Sequence, residues 1–257
     1  MNPPDGACYD SRILREAQDT KRGEVSGKPR PSVTVSYAQT LDGRLATAGG
    51  SSQWISASDS LQAAHELRAA HDAILIGAVT ACRDNPRLTV RLAEGEDPLR
   101  VVVDSGLRTP LDAAVLAGEA AEGTLLAVTS RATEDRCRKA REIGAAVVRV
   151  EEDDSGRVDL AALLEELGRR GVESVMVEGG AEVITALLAR RLVDRLAVCV
   201  APKILGAGIE AVGDLGVRDL DLALELTGLS VRQCGVDLLL EGDVIYPEDR
   251  ESGASDG

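Results

Sequence analysis

The chain has 257 residues, enough for one large domain or two small ones, and 44% of them are hydrophobic. Its 29 basic and 43 acidic residues give a net charge of −14, which disfavours binding to nucleic-acid phosphates. Because it contains no Phe, one Trp and three Tyr, its core must consist of Leu, Val, Ile and Ala, as in sheets packed between helices.

The two ends of the chain differ from its middle in composition. Residues 1–30 and the tail after Tyr246 are polar, with prolines, glycines and mixed charge, and they hold no sustained apolar pattern. We therefore expect a flexible N-terminal segment over residues 1–30, one domain over residues 31–246, and a disordered tail over residues 247–257.

The first elements of the domain are a strand, a helix and a second strand. Ser32–Ala38 is rich in β-forming residues and follows a proline. Asp59, with Gln62 three residues later, is typical of a capping box, which predicts a helix from there to about Ala70. The apolar run Ala73–Ile76 predicts the next strand.

Beyond this point, short apolar runs alternate with helical patterns. The predicted strands are Leu99–Val103, Thr124–Val128, Ala146–Val150, Glu173–Val177 and Leu196–Val200. The predicted helices are one capped by Thr133 and ending near Gly144, one capped by Asp159, and one over Ala181–Arg190. Leu222–Arg232 and Val236–Tyr246 alternate as an antiparallel pair. The sequence thus predicts an α/β fold, with a mostly parallel central sheet flanked by helices and an antiparallel C-terminal hairpin.

The cysteines and the hydropathy pattern restrict the location of the protein. The five cysteines are far apart and form no C-x-x-C pair, which indicates neither a disulfide framework nor a zinc site. No apolar run is long enough to span a membrane, and the N-terminus lacks the core of a signal peptide. We expect a cytoplasmic protein that binds no membrane, no nucleic acid and no metal.

The predicted strand Glu173–Val177 is followed by Glu178, Gly179 and Gly180, directly before a helix. Paired glycines let the backbone approach a ligand, and the free N–H groups of a helix start favour an anion such as a dinucleotide pyrophosphate. A tight turn without a ligand is the alternative interpretation of the two glycines. A carboxylate at the end of a buried strand is costly unless it is paired or used, and Glu178 therefore favours a functional site.

A second candidate region follows the first strand. Asp42-Gly43 is an ordinary turn signal, and it leads to a polar loop that holds Trp54, the one tryptophan of the chain. A large ring outside the periodic core packs either on the edge of the core or on a ligand.

A third candidate region runs from Arg68 to Arg91, around the end of the strand Ala73–Ile76. The guanidinium fork of arginine suits bidentate binding of phosphate, and a solvated surface charge is the alternative. Arg68 lies seven residues after Leu61 and shares a helix face with that apolar residue, so we expect Arg68 to be partly buried.

Several known patterns are missing from the sequence. No G-x-G-x-x-G follows the first strand, and there is no P-loop, nucleophile elbow or zinc-deaminase signature. Any dinucleotide must therefore be held by a scaffold other than a Rossmann fold. His65 and His71 lie within and at the end of one predicted helix, and we assign both of them structural roles rather than catalysis.

Seven segments follow one another in order: VSYAQTLDGRLAT, SSQWIS, HELRAAHDAILIG, DNPRLTVR, RVVVDS, LLEELGRRGVESVMVEGG and LVDRLAVCVAPKILG. Together they resemble the reductase domain of the riboflavin-biosynthesis deaminase–reductases and their stand-alone relatives, over about residues 31–246. The resemblance implies a dihydrofolate-reductase-like fold, a homodimer and the cofactor NADPH. It also implies reduction of the ribosyl group of a phosphorylated 5-amino-6-ribosylaminopyrimidine to a ribityl chain.

The resemblance further implies roles for individual residues. Glu178 would orient the sugar or handle the proton. The cofactor-binding positions would be Ala38, Trp54, Thr80, Asp84, Ser105, Gly180, Ala181, Glu182, Val183, Ile184, Thr185 and Ala186. The substrate-binding positions would be Ser52, Arg68, Leu88, Arg91 and Glu178.

One position departs from the family's bifunctional members, which commonly carry a lysine where this chain has Ser36. The segment VSYAQT is more similar to the stand-alone reductases, so the substrate is either the aminouracil or the 2,5-diamino-pyrimidinone, and the sequence leaves both open. Two other interpretations remain: a reductase of the same fold acting on another pterin or pyrimidine in specialised metabolism, and a catalytically silent nucleotide-binding homologue.

Overall fold

A computed structural model describes residues 30–51 and 58–247 of the chain. The strands of this part are β1 (Ser32–Thr40), β2 (Arg44–Thr47), β3 (Ala73–Gly77), β4 (Leu99–Val103), β5 (Thr124–Val128), β6 (Ala146–Arg149), β7 (Ser174–Glu178), β8 (Arg195–Ala201), β9 (Gly208–Glu210), β10 (Glu225–Cys234) and β11 (Asp237–Ile245). The α-helices are α1 (Ser58–Ala69), α2 (Ala78–Arg83), α3 (Glu134–Glu142), α4 (Leu160–Arg169) and α5 (Ala181–Ala189).

The main sheet has nine strands in the order β10-β11-β8-β1-β7-β3-β4-β5-β6. From β8 to β6 neighbouring strands are parallel, whereas β11 runs antiparallel to both β8 and β10. The predicted parallel sheet with an antiparallel C-terminal hairpin is therefore confirmed. The first strand of this sheet, β1, lies near its middle. The strands β3 to β6 then follow one another toward one edge, and the chain returns to place β7 between β1 and β3. This return creates a switch in connection direction, beside which parallel sheets bind ligands.

Alternate residues of the parallel strands enter two different cores. On β3, Leu75 packs with the leucines of α4 and with α5, while Ile74 and Ile76 on the opposite face pack with α3. Because strand side chains alternate between faces, this pattern requires helices on both sides of the sheet. Both cores are almost wholly aliphatic, as the composition predicts.

Side-chain caps fix two of the helices where the sequence places them. The Asp159 carboxylate accepts a hydrogen bond from the Ala162 amide at 2.9 Å, and Thr133 accepts one from the Arg136 amide at 3.4 Å. The predicted capping box at the start of α1 is wrong. The helix begins at Ser58, Asp59 lies inside its first turn, and the Gln62 side chain donates to Glu66 instead of reaching back to the helix start.

Three elements were not predicted from the sequence. The six-residue helix α2 follows β3 without a loop, and β2 pairs with β9 in a separate two-stranded sheet. The strand β9 has only three residues, too few for a recognisable alternation. Within residues 30–51 and 58–247, no helix is long and apolar enough to cross a membrane.

Candidate active site

A cavity of about 740 Å³ opens at the carboxyl ends of β3, β4 and β7. This volume is in the usual range for pockets that bind cofactors, and the position is the switch in connection direction described above. The predicted cofactor residues that line the cavity are Thr80, Asp84, Ser105, Gly180, Ala181, Glu182, Val183 and Ala186.

The turn between β7 and α5 forms one wall of this cavity. Gly179 and Gly180 have φ of 78° and 90°, a conformation that other residues adopt only with strain. Gly180 is the N-cap of α5 and supplies no side chain, so the first N–H groups of the helix remain available to a ligand. A Cβ on Gly180 would lie 3.3 Å from the Thr80 hydroxyl, so glycine also keeps the space between α2 and α5 open.

Not every predicted cofactor residue reaches the cavity. Ile184 is buried in the core, and Thr185 donates to the Ala181 carbonyl at 2.6 Å while it accepts from the Gly213 amide at 2.8 Å. Ala38 packs with a small cluster that includes Ala63, away from this cavity. Trp54 and Ser52 lie outside the residues that the structure describes.

Arginines give the cavity a charge opposite to that of the whole chain. Its wall carries the carboxylates of Asp84, Asp153 and Glu182, and a larger number of guanidinium groups, those of Arg83, Arg108, Arg131, Arg157 and Arg190. Arg131 donates to the Gly156 carbonyl oxygen at 3.1 Å, a neutral acceptor that leaves its positive charge in place. In a chain of net charge −14, such a local excess of cations favours a phosphate-bearing ligand.

None of these five arginines was among the site residues predicted from the sequence. Arg108 lies five residues after β4 and Arg131 three residues after β5, and the carboxyl ends of parallel strands meet at one edge of a sheet. Arginines closely following predicted strands were therefore the available signal. Arg157 and Arg190 carry no such signal, because a short hairpin and the end of α5 bring them to the cavity.

Asp153 fixes the hairpin that contributes Arg157. Burial tends to raise the pKa of its carboxyl, but hydrogen bonds from Ser155 and from the Arg157 amide, together with the charge of Arg190, lower that pKa to about 2. At the other side of the cavity, partial desolvation raises the pKa of the Asp84 carboxyl, against the opposing charge of Arg83, although Asp84 as a whole is exposed.

A second polar site adjoins the cavity at the last residue of β7. The Arg68 guanidinium donates to both oxygens of Glu178, from Nε at 2.8 Å and from Nη2 at 2.7 Å, and from Nη1 to the Thr89 carbonyl at 3.1 Å. The two side chains are 13% and 21% exposed, so this bidentate pair is largely withdrawn from water. Ser36 is the residue of β1 in register with Glu178.

Arg68 is partly buried as predicted, but the stated reason is wrong. Leu61, on the same face of α1, is 46% exposed. Arg68 is withdrawn from water because it bonds to Glu178 at the end of β7 and to Thr89 in the segment before β4.

The segment Leu88–Arg91 carries the remaining predicted substrate residues. Leu88 has a φ of 56° and packs its side chain in the core, and the whole residue is buried, so the structure does not expose it to a ligand. Arg91 donates from Nη1 to the Thr89 hydroxyl at 2.6 Å, and it borders a shallow groove with α1 rather than the arginine-lined cavity.

Both histidines make contacts within the protein. His71 joins α1 to β1, because its Nδ1 donates to the Leu67 carbonyl at 2.7 Å and its Nε2 forms a hydrogen bond with the Thr34 hydroxyl at 3.0 Å. The His65 ring is 3% exposed, and its Nδ1 accepts a hydrogen bond from the Arg91 amide at 2.9 Å.

The position and charge of the cavity are those expected of an α/β enzyme whose ligand carries phosphate, in a fold without a Rossmann fingerprint. Residues 31–240 match the family model of the RibD C-terminal domain, and the chain belongs to that family. The family's reductases are oxidoreductases of riboflavin biosynthesis with a dihydrofolate-reductase-like fold, and they use a nicotinamide cofactor. The fold and the family expected from the sequence are thus confirmed.

Individual relatives differ in length. The chain is 41% identical over 218 residues to the 2,5-diamino-6-ribosylamino-4(3H)-pyrimidinone 5′-phosphate reductase of Methanothermobacter thermautotrophicus, covering 82% of this chain and 97% of that one. It is 37% identical over 212 residues to the riboflavin biosynthesis protein RibD of Aquifex aeolicus, but spans only 57% of it. The solved structure of RibD from Acinetobacter baumannii (form 2) superimposes with a TM-score of 0.71 at 27% identity, covering 84% of this chain and 58% of that one.

Proposed function

We propose that this chain is an NADPH-dependent reductase that converts the ribosyl group of a 5-amino-6-(5-phosphoribosylamino)pyrimidine to a ribityl group in riboflavin biosynthesis. One observation carries the proposal. Glu178, paired with Arg68, is followed at once by the glycine turn of the arginine-lined cavity, so a polar substrate site and a phosphate-binding site share one strand end.

The residues of the cavity fit a nicotinamide dinucleotide. The N–H groups at the start of α5 suit the pyrophosphate of the dinucleotide, and the glycines of the turn leave space for that pyrophosphate beside the protein backbone. When bound, the nicotinamide supplies the hydride that reduces the sugar. We assign the additional phosphate of NADPH to Arg108 and Arg131, because they lie at the ends of neighbouring strands and add positive charge where NADH would have no anion.

Arg68 and Glu178 orient the sugar in this proposal. A carboxylate held by two guanidinium hydrogen bonds keeps lone pairs free to accept hydrogen bonds from hydroxyl groups, whereas it is poorly placed to give up a proton. Of the two roles considered for Glu178, the geometry therefore favours orientation. Arg91 is our candidate for the substrate's phosphate.

The decisive experiment measures NADPH consumption with the aminouracil phosphate and with the diamino-pyrimidinone phosphate, followed by the mass of the product. Reduction of either substrate supports the proposal and selects between the two forms. Binding of NADPH without turnover of either would favour a different pterin or pyrimidine as substrate. A chain that binds no NADPH would be a catalytically silent homologue.

The choice of NADPH over NADH has its own test. Arg131→Ala should lower kcat/KM for NADPH by about tenfold or more, since a charge-assisted hydrogen bond contributes roughly 1.5–3 kcal/mol, and leave kcat/KM for NADH nearly unchanged. The matched control is Arg138→Ala, which removes an exposed arginine of α3 that pairs with Asp135 and Glu142. An equal loss with both cofactors would contradict the assignment of Arg131.

We further propose that the protein acts in the cytoplasm as a homodimer. The strand β10 is an edge of the main sheet and is exposed along nearly its whole length, with Leu226, Leu229 and Val231 in contact with solvent. A long apolar edge strand invites pairing with another chain, and a second copy would cover it. Leu229→Asp combined with Val231→Asp should give a monomer by light scattering. A wild-type monomer at micromolar concentration would refute the homodimer.

The proposed cytoplasmic location agrees with the state of the cysteines. The structure describes four of them, and these are free thiols, as expected in a reducing compartment: Cys82, Cys137, Cys199 and Cys234.

A further inference from the structure

The segment Leu88–Arg91 is held in place by three side chains, two from α1 and one from the segment before β4. Arg68 donates to the Thr89 carbonyl at 3.1 Å, Asp97 accepts from the Val90 amide at 2.6 Å, and His65 accepts from the Arg91 amide at 2.9 Å. The segment belongs to no strand, so these three contacts take the place of a backbone ladder.

The His65 contact depends on which nitrogen of the ring carries a proton. To accept from the Arg91 amide, Nδ1 must present its lone pair, and the neutral ring then carries its hydrogen on Nε2. A doubly protonated ring would turn an N–H toward another N–H. It would also add a positive charge 3.5 Å from the Arg68 guanidinium. The bond therefore exists only with the neutral imidazole.

We propose that neutral His65 is a positioning residue, which sets Arg91 where it binds the phosphate of the substrate. This inference rests on the proposed function. Arg91 is the last residue of the segment Leu88–Arg91. The hydrogen bond from its backbone N–H to His65 fixes the backbone from which the charged Arg91 side chain extends. Since α1 supplies both His65 and Arg68, one helix places the phosphate-binding arginine relative to the Arg68–Glu178 pair.

Burial and the two neighbouring arginines favour the required neutral form of the ring. Burial, and then the nearby charges of Arg68 and Arg91, lower the pKa of His65 below 6.5, while Glu178 and Asp97 act in the opposite direction. A histidine with a lowered pKa stabilises the folded arrangement fully above pH 6.5, and this contribution is lost as the pH falls through the folded-state value. We expect substrate affinity to fall in the same direction.

Two substitutions separate positioning from mere packing. His65→Asn keeps an acceptor oxygen near the place of Nδ1 but cannot titrate, whereas His65→Leu fills space without an acceptor. The Leu variant should raise the KM for the pyrimidine phosphate by about tenfold, because a buried amide left without a partner costs roughly 1–3 kcal/mol. Its kcat and its NADPH affinity, measured by fluorescence titration, should change much less. The Asn variant should restore most of the lost substrate affinity.

The pH profile gives a second readout that does not depend on the Leu variant folding. The phosphate of the substrate itself titrates near pH 6, and this affects all variants equally. As the pH falls through the lowered folded-state pKa of His65, the KM of the wild type should therefore rise more steeply than the KM of His65→Asn. Parallel profiles of the two proteins would overturn the inference, and so would an unchanged KM in a folded His65→Leu. A wild type that reduces neither pyrimidine would instead refute the proposed function, which makes the two failures distinguishable.

Discussion

The arginine-lined cavity and the Arg68–Glu178 site lie side by side, but they are built in different ways. The cavity consists mainly of strand ends, a glycine turn and the first turn of α5, with arginines around its edge. The neighbouring site depends on side chains far apart in sequence: Arg68 and Glu178 are separated by 110 positions, and Arg91 and His65 by 26. Backbone topology therefore defines one region, and individual side-chain bonds define the other.

This difference has a consequence for substitutions. In the cavity, several arginines contribute to the same positive potential, so the loss of one weakens binding without destroying the site. In the paired site, the loss of one partner leaves a charged group largely withdrawn from water and without its counter-ion. We expect changes in the paired site to act on turnover and substrate affinity, and changes in the cavity to act on the cofactor.

The largest expected effect is that of Glu178→Gln. The amide cannot pair with Arg68 as a carboxylate does, and it orients the sugar poorly, so turnover should fall by about 10²-fold, the usual cost of a misplaced reacting group. Cofactor affinity should stay close to that of the wild type, as measured by fluorescence titration. Glu173→Gln, an exposed glutamate just before β7, is the matched control and should be silent. Near-wild-type turnover of Glu178→Gln would remove this residue from the mechanism.

Arg91→Ala should act on the substrate alone. Losing a charge-assisted hydrogen bond to phosphate should raise the substrate KM by about tenfold, while kcat changes little. Steady-state kinetics with the preferred pyrimidine phosphate measure both values. Arg87→Ala removes an exposed arginine four positions earlier and serves as control. An unchanged KM would contradict a phosphate-binding role for Arg91.

Gly180→Ala should weaken binding of the cofactor and leave binding of the substrate nearly unchanged, the reverse of Arg91→Ala. A left-handed backbone costs an alanine about 1 kcal/mol, and relief of that strain would turn the amides of the cavity wall. We expect the Kd of NADPH to rise about fivefold with little change in substrate KM. Gly171→Ala has a similar φ of 85° at the other end of β7 and nothing within 4 Å, so it should cost similar stability without affecting the cofactor. Equal cofactor affinity in both variants would show that the turn does not hold the phosphates.

The smallest effect should come from Asp153→Asn, in the wall of the cavity. The asparagine oxygen can still accept from Ser155 and Arg157, but the ion pair with Arg190 is lost. The pKa of Asp153 is lowered from its ordinary value of 3.8 to about 2. Its ionised carboxylate therefore stabilises the fold above pH 3.8, and this stabilisation disappears as the pH falls toward 2. Thermal unfolding at a series of acid pH values should show the midpoints of wild type and variant converging. A constant difference would contradict this account.

The sequence predicted those features of the fold that depend on local patterns. Apolar runs correctly marked the strands of the main sheet, and Thr133 and Asp159 were recognised as caps because a cap acts within one helical turn. The same reasoning failed at Asp59. Two residue types at the right spacing are compatible with a capping box, but the Gln62 side chain found Glu66 one turn later. The helix α2 was missed because six residues are too few to show a period.

For the site, the sequence by itself determined the glycine turn and the carboxylate before it, whereas the pairing of Arg68 with that carboxylate was not predicted. Strand, turn and helix follow one another along the chain there, so their chemistry can be recognised from local order. Only the tertiary structure decided that Arg157 and Arg190 face the cavity, and that His65 rather than a strand neighbour holds Arg91. The physical reason is that such contacts depend on the order of strands in the sheet and on the way helices cover it. Neither is encoded within a single stretch of residues.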